Sequence, residues 1–540
     1  MHLTFNLETP ATDAFFNMAD ACCDRWASRE PDRTALIQKN LDGTVSRCTY
    51  QDLQHAANRL ANALQQRGIK PGDRVGIMLP QRVEAAVAHI ALYKLGAIAV
   101  PLFVLFGLDA IRHRAADCGM GAMITDVTGL AKLDQIWDEL PSLQFCYTLG
   151  ARSGDPRVLD YHTEIERAAP TFETYRSVAE DPAVIIYTSG TTGHPKGALH
   201  AHRVLLGHVP GVSVSHDGFP QTDDLIWTPA DWAWIGGLFD VLLPSLYLGI
   251  PVVAHRAEKF EPEAAFALIE ELGIRNIFFP PTALKLLRQV KSPEQRWRLN
   301  VRTIASGGES LGAELLAWGR QTFGVVINEF YGQTECNIVL SSCASQGVQK
   351  VGAIGKSVPG YTVRIIDSQG NVVPDGEPGD IAVATPNQNQ MLRYWNKPEA
   401  TAEKYVGHWL VTGDRGYQDA DGYIHFLGRN DDVICSAGYR IGPTPIEDCL
   451  LRHPAVKLAA AIGKKDATRT EIVKACVVLA DGYTPSHDLT RELQDHVRKG
   501  LAAHEYPREI EFLDALPMTA TGKIIRGALR ERENQKENAA

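Results

Sequence analysis

At 540 residues the chain is too long for one ordinary hydrophobic core, so two or more domains are expected. A hydrophobic share of 45% with 22% charged residues describes a globular protein rather than a disordered or fibrous one. The net charge of −10, from 54 basic and 64 acidic side chains, argues against a nucleic-acid or anionic-membrane binder, but not against a nucleotide held by one local loop. The ten cysteines contain no CxxC pair, and Cys22 and Cys23 are adjacent, so neither a disulfide framework nor a zinc site is expected and a reducing cytoplasm fits best. The opening stretch MHLTFNLETPATDAFF has no basic segment leading into an apolar run, and no secretory signal is expected.

From about residue 50 helix and strand patterns alternate. TYQDLQHAANRLANALQQRG places Leu53, Ala57, Leu60 and Leu64 on one helical face and stops at Gly68. DRVGIML reads as a buried strand, VEAAVAHIALYKLGA as a helix, and IAVPL, GAMIT and AVIIYT as further strands; NIFFP and TIASGG repeat the pattern later. Such alternation predicts an α/β fold with a doubly wound, largely parallel sheet, whose ligands lie beyond the C-terminal ends of the strands. Residues 90–108 and 232–254 are apolar and long, but Lys94, Pro101, Asp240, Pro244 and Pro251 interrupt them, and buried core or pocket lining is expected rather than a membrane span.

The AVIIYT strand runs into Tyr187–Gly197, YTSGTTGHPKG. Glycines, hydroxyls and a lysine directly after a strand can turn donors toward one anion. The template GxxxxGK[ST] fails, because Lys196 stands between Pro195 and Gly197. A phosphate loop of another kind and a polar surface loop both remain open on composition alone. His200, His202 and His208 follow; no further ligand cluster supports a metal there, and a surface at a helix start is expected.

Near residue 355 the texture changes. VRIIDSQGNVVPDGEPGDIAV consists of short β-rich runs split by turns, suggesting a small antiparallel or barrel subdomain. After GRNDD the chain returns to mixed helix and strand, and the last ~110 residues are expected to form a separate small α+β domain.

YTSGTTGHPKG, YGQTE (331–335), TGD (412–414), GRNDDVICSAGYRI (428–441) and PMTATGKIIR (517–526) occur in the order of the adenylate-forming, AMP-binding superfamily, which the chain resembles from about residue 30 to 530. The resemblance implies a large N-terminal domain, residues 1–430, and a small mobile C-terminal domain, 431–540, turning about a hinge at Asp431. It implies an ATP-dependent acid–thiol ligase that forms an acyl-adenylate, with ATP, Mg2+ and coenzyme A taking part. Thr188, Ser189, Gly190, Thr191, Thr192, Gly193 and Lys196 would wrap the β- and γ-phosphates. Gly307, Gly308 and Glu309 would border the adenine, with Tyr331 against its face and Gly332 and Gln333 following in the same motif. Thr334 would contact the α-phosphate and Glu335 would hold Mg2+. Asp414, assisted by Arg429, would accept the ribose hydroxyls, and Lys523 would bridge carboxylate and α-phosphate oxygens. Gly438, Tyr439 and Arg440 would border the coenzyme A tunnel.

The chain stops 17 residues after Lys523, with no carrier domain, so coenzyme A is the expected acceptor. Relatives specific for acetate carry tryptophan where this chain has Gly332, and ADWAWIGG places Trp234, Ile235 and Gly236 beside the acyl group. Opening that space predicts propionate to medium-chain or branched acids, each buried methylene adding ~0.8 kcal/mol. Cys336 and Asn337 depart from the usual TETG. Asp240, in an FD pair like that of amino-acid-activating relatives, is expected to be structural, because Gly249 follows too closely for that alignment. PMTATGK also resembles the site at which bacterial relatives are switched off by a lysine acetyltransferase, here on Lys523. The alternatives are an acyl-adenylate-forming enzyme with another acceptor and a non-catalytic nucleotide or acyl-CoA sensor.

Overall fold

The computed structural model describes residues 15–150, 154–188, 195–256, 260–309, 311–429, 432, 434–436, 439–466, 469–501, 505–519 and 523–539. Two large sheets dominate. In one, strands Ile327–Gln333, Thr303–Gly307, Asn276–Phe278, Ile226–Trp227, Val252–His255 and Thr34–Lys39 run parallel, with antiparallel edges at Val45–Thr49, Cys336–Ser341 and Lys356–Ser357. In the other, Pro182–Tyr187, Ile98–Pro101, Arg74–Met78, Ala122–Asp126, Phe145–Leu149 and Val158–Asp160 run parallel; Gly197–Ala201 and Arg393–Tyr394 close its edge antiparallel.

The helices between these sheets explain the long apolar stretches. Helix Val83–Leu95 is buried from Ala85 to Leu95, and Val204–Ser215 is buried throughout. Both join one core with side chains from each sheet, including Val75, Val184, Val252 and Ala305. A helix with no wet face reads as uniformly apolar. The charges within these stretches have partners: Lys94 Nζ donates to both carboxylate oxygens of Asp24 at 2.5 Å, and Asp240 accepts from Asn337 Nδ2 at 2.7 and 2.9 Å. Among the described residues no helix is long and apolar enough to cross a membrane. The nine cysteines described are free and buried.

Helix Tyr50–Gln66 begins with a reciprocal cap, in which Thr49 Oγ1 accepts from the Asp52 amide at 3.1 Å and Asp52 accepts from the Thr49 amide at 3.0 Å. Its predicted face, Leu53, Ala57, Leu60 and Leu64, is fully buried. The β-rich segment forms a sheet of Val363–Ile366, Gly379–Ala384, Trp409–Gln418 and Tyr405–Val406, with Ile424–Arg429 paired to Trp409–Gln418. The C-terminal part has its own sheet, Tyr439–Ile441, Ile434–Ser436, Thr470–Leu479 and Val456–Asp466, with Glu509–Phe512 added in parallel, and its own core.

One expectation is corrected. His200, His202 and His208 are not on a surface: each is buried, and burial holds their rings neutral, down to about 3, 3 and 4. His202 Nδ1 accepts from the Met18 amide at 3.1 Å, and His208 Nδ1 donates to Val204 O at 2.8 Å. His200 lies in the strand Gly197–Ala201, paired on both sides, and His202 and His208 lead from it into a helix that lies wholly inside the core.

Candidate active site

The hairpin of Pro182–Tyr187 and Gly197–Ala201 closes at its base where the Thr188 amide donates to Lys196 O at 2.9 Å. Ser189, Gly190, Thr191, Thr192 and Gly193 lie outside the described residues, as do Asp431 and Gly438. Lys196 Nζ sits 5.2 Å from the centre of the Tyr394 ring, the arrangement of a cation over an aromatic face. The Tyr394 hydroxyl in turn donates to Glu335 Oε1, and the Met391 amide donates to Glu335 O at 2.8 Å. Residues 391–394 therefore join the base of the loop to Glu335. Neither residue of this link was singled out in the sequence, because RYW matches no phosphate or metal pattern; only the antiparallel register of Arg393–Tyr394 against Leu199 and Ala198 brings it there.

A second group forms where the nine-stranded sheet meets the five-stranded one. Tyr331, at the end of Ile327–Gln333, donates its hydroxyl to Asp414 Oδ2 at 2.5 Å. Asp414 and Arg429 are direct cross-strand partners, which accounts for their pairing in the resemblance. Burial raises the Asp414 carboxyl above its usual range, and the Tyr331 hydroxyl, Arg429, Lys404 and Lys523 each pull it back down. Gln333 Nε2 donates to Thr412 O at 3.0 Å. Lys404, another residue the sequence reading missed, donates to Gln333 Oε1 at 2.9 Å and Thr412 O at 3.2 Å.

Gly307 and Gly308 end the strand Thr303–Gly307. A Cβ on Gly307 would lie 2.5 Å from the Phe330 ring. Gly308, at φ +104°, would direct a Cβ to 3.5 Å from Lys523 Cε. Glu309 takes an ion pair from Lys285 at 3.4 Å. Lys523 thus stands beside the strand end, and its charge reaches Asp414. Its own loop is tied by the Thr519 amide to Lys523 O at 2.7 Å and the Ile525 amide to Pro517 O at 2.8 Å. Behind it, Arg526 pairs with Glu447 at 2.5 Å and Asp432 at 3.3 Å, while Arg530 pairs with Asp432 at 2.6 Å. Tyr439 and Arg440 belong to the strand Tyr439–Ile441, paired antiparallel with Ile434–Ser436 in the C-terminal sheet.

Beside Gly332 the structure departs from the open space expected there. A Cβ on Gly332 would lie 2.5 Å from Asn337 Cα, from Asn337 Oδ1 and from Ile338 N. The hairpin folds back on itself, and Asn337 fills the place. Asn337 is pinned to Asp240, and Asn389 Nδ2 donates to Asn337 O at 2.6 Å. Trp234 packs against Phe103 and Phe106 with ring centres 5.6 and 5.8 Å away. A Cβ on Gly236 would be 3.0 Å from Phe278, which packs on Phe330 at 5.3 Å. Ile235 is packed against the same large core.

Glu335 suits one magnesium ion, which takes one or two carboxylates and completes its shell with phosphate oxygens and water. The acid is buried and bonded through one oxygen to Tyr394, leaving the other for a cation.

The AMP-binding enzyme family matches residues 23–395, and the AMP-binding enzyme C-terminal domain matches 445–523. The chain is 33% identical to acetyl-coenzyme A synthetase of Bacillus subtilis, over 95% of this chain and 90% of that protein. It is 33% identical to the human mitochondrial acyl-coenzyme A synthetase ACSM4, over 96% and 90%. It superposes on the crystal structure of the anthranilate CoA ligase AuaEII in complex with anthranoyl-AMP with a TM-score of 0.89 and 30% identity, covering 97% of this chain and 98% of that one. Matching motifs, matching fold and matching relatives agree: the chain belongs to the AMP-binding, adenylate-forming enzyme family, in its acyl-CoA synthetase branch.

Proposed function

We infer that the protein is an ATP-dependent carboxylic acid–CoA ligase, turning carboxylate, ATP and coenzyme A into acyl-CoA, AMP and pyrophosphate. The observation that carries this reading is the approach of Lys523 to Gly308 and Asp414, which gathers the nucleotide-side and C-terminal motifs at one place. A carboxylate oxygen attacks the α-phosphorus, and the O–P bond to pyrophosphate breaks. A thiolate then attacks the acyl carbon, and AMP leaves. The first step brings anions together, so positioning and charge neutralisation supply most of the catalysis. Thr188 and Lys196 serve the leaving phosphates, with Ser189 to Gly193 between them. Thr334 and Lys523 face the α-phosphate, Tyr331 and Asp414 hold the adenosine, and Arg429 assists. Mg2+ held by Glu335 would neutralise phosphate charge.

The domain boundary at 430/431 is supported by the sheets: the last strand of the β-rich sheet ends at Arg429 and the next sheet begins at Ile434. Alternation about Asp431 would bring Gly438, Tyr439 and Arg440 to the thiol. Gly438→Leu should then stop thioester formation and spare pyrophosphate exchange; equal loss of both sinks the alternation. Lys523 is exposed and open to a lysine acetyltransferase. Treatment with such an enzyme and acetyl-CoA should abolish adenylation, and unchanged exchange by acetylated protein counts against this. A cytoplasmic location remains the reading of the cysteine usage.

For the acid, short- to medium-chain or branched substrates fit the apolar walls around Trp234 and Gly236. A ring acid is the second reading, favoured by the aromatic faces of Phe103, Phe106, Trp234, Phe278 and Phe330. The similar structure AuaEII binds anthranoyl-AMP, an aromatic acyl-adenylate. Pyrophosphate release should be measured for acetate to decanoate, branched acids and benzoates, with and without coenzyme A. Absence of release with every acid would leave the sensor reading, and release without coenzyme-A-dependent AMP formation would point to another acceptor.

A further inference from the structure

The nucleotide site lies on a seam between two sheets, with Tyr331 and Gln333 on one side and Thr412 and Asp414 on the other. Lys404 comes from neither strand. It follows the short helix Pro398–Ala402 and precedes Tyr405–Val406. Its ammonium reaches across the seam to Gln333 Oε1 and Thr412 O. The Gln333 amide is thereby used at both ends, since its Nε2 also donates to Thr412 O. An amide has no intrinsic preference between its two orientations, and the cation selects the one in which nitrogen faces the carbonyl. Thr412 passes the constraint on: its Oγ1 donates to Ile381 O at 2.8 Å and accepts from the Asp414 amide at 3.2 Å. On the other side Gln333 immediately precedes Thr334 and Glu335.

We propose that Lys404 is a positioning residue for adenylation, fixing the distance between the ribose acceptor Asp414 and the phosphate-side residues Thr334 and Glu335 by tying Gln333 to Thr412. This rests on the ligase reading above. A solvent-exposed lysine could be exchanged freely. This one is half-buried and held by two acceptors across the seam: burial pulls its ammonium below the usual lysine range, while the charges of Glu335 and Asp414 support it. A methionine of similar length keeps the packing but removes both donors, and then Gln333 Oε1 faces no donor and the seam loses its cross-tie.

The test uses the full chain with Lys404→Met and Lys404→Arg. Lys404→Met should lower kcat for acid-dependent ATP–pyrophosphate exchange by about 10- to 100-fold. KM for ATP should rise less than kcat falls, and AMP affinity in EDTA should weaken several-fold. Thioester formation from saturating pre-formed acyl-adenylate and coenzyme A should remain within about twofold of the unaltered protein, because no metal or pyrophosphate takes part in that step. Lys404→Arg, which keeps donors and charge, should recover most of the exchange. Exchange within about twofold of the unaltered protein in Lys404→Met overturns the proposal. So does an equal loss of both half-reactions with a lowered melting temperature, which marks a general folding role. If the unaltered protein shows no exchange with any acid, it is the ligase reading that has failed, and the EDTA measurement of AMP affinity still decides on Lys404.

Discussion

The hydroxyl of Tyr331 and the carboxylate of Asp414 meet at 2.5 Å, joining two sheets at the point where the adenosine is expected. The tyrosine therefore serves through its oxygen as well as its ring face. Tyr331→Phe keeps the ring and removes the bond. Because that bond favours the ionised acid, its loss raises the already elevated Asp414 pKa further. On the proposed role of Asp414 as the ribose acceptor the ionised form is needed, so affinity should fall as pH drops through that pKa. AMP titrations should show about tenfold weaker binding in Tyr331→Phe, with the acid-side loss beginning at higher pH than in the unaltered protein. An unshifted pH profile would contradict this.

Lys523 should outrank Lys196. The first stands against the strand end at Gly308, whereas the second is held over Tyr394 beside the strand Gly197–Ala201. Lys523→Ala is expected to lower pyrophosphate exchange by about 10²- to 10³-fold, and Lys196→Ala by less. Gly308→Ala should damage the same step, since it forces a side chain into the left-handed region and toward Lys523. The reverse ranking of the two lysines would overturn this assignment.

Tyr394→Phe removes a hydrogen bond to a buried carboxylate. A bond to a charged group contributes about 1.5–3 kcal/mol, so a fall in adenylation of about 10- to 100-fold is expected, with a higher Mg2+ concentration needed for half-activation. Magnesium titrations at saturating ATP check it; an unchanged half-activation point would mean that Tyr394 does not orient Glu335.

Asp240 is buried, and burial pushes its carboxyl well above the usual range, with the Asn337 bond opposing. The folded state thus binds a proton more tightly than the unfolded chain. Stability from this group is present at acid pH and is lost as pH rises from the unfolded value of 3.8 toward the raised folded one. Asn337→Ala should enlarge the loss, destabilising by about 1–3 kcal/mol at neutral pH and less in acid. Denaturant midpoints across pH measure this, and a pH-independent difference would exclude Asp240 as its source.

Most of the alternating α/β framework was legible in the sequence, because strands such as Pro182–Tyr187 and helices such as Tyr50–Gln66 carry strong local periodicity and caps. The motif order likewise singled out Asp414, Tyr331 and Lys523, which the structure brings together. Tyr394 and Lys404 were not legible: each enters the site from a short segment whose place depends on long-range pairing. The buried histidines were misjudged because polarity predicts exposure only when no core surrounds the side chain. The role of Gly332 was missed because its constraint comes from residues five and six positions later.

That closure couples Gly332 sterically to Asn337 and Ile338. A side chain at 332 is incompatible with the present course of 337 and 338. Gly332→Trp alone should therefore destabilise the protein by about 1–3 kcal/mol or more, through overpacking, instead of shortening the preferred acid. Thermal melts beside a substrate panel distinguish these outcomes. A larger residue at 332 would require Asn337, the partner of Asp240, to change with it. If the proposed acyl pocket borders Gly332, its size is coupled to the burial of a carboxylate, and a change of specificity at this hairpin would have to meet the stability problem first.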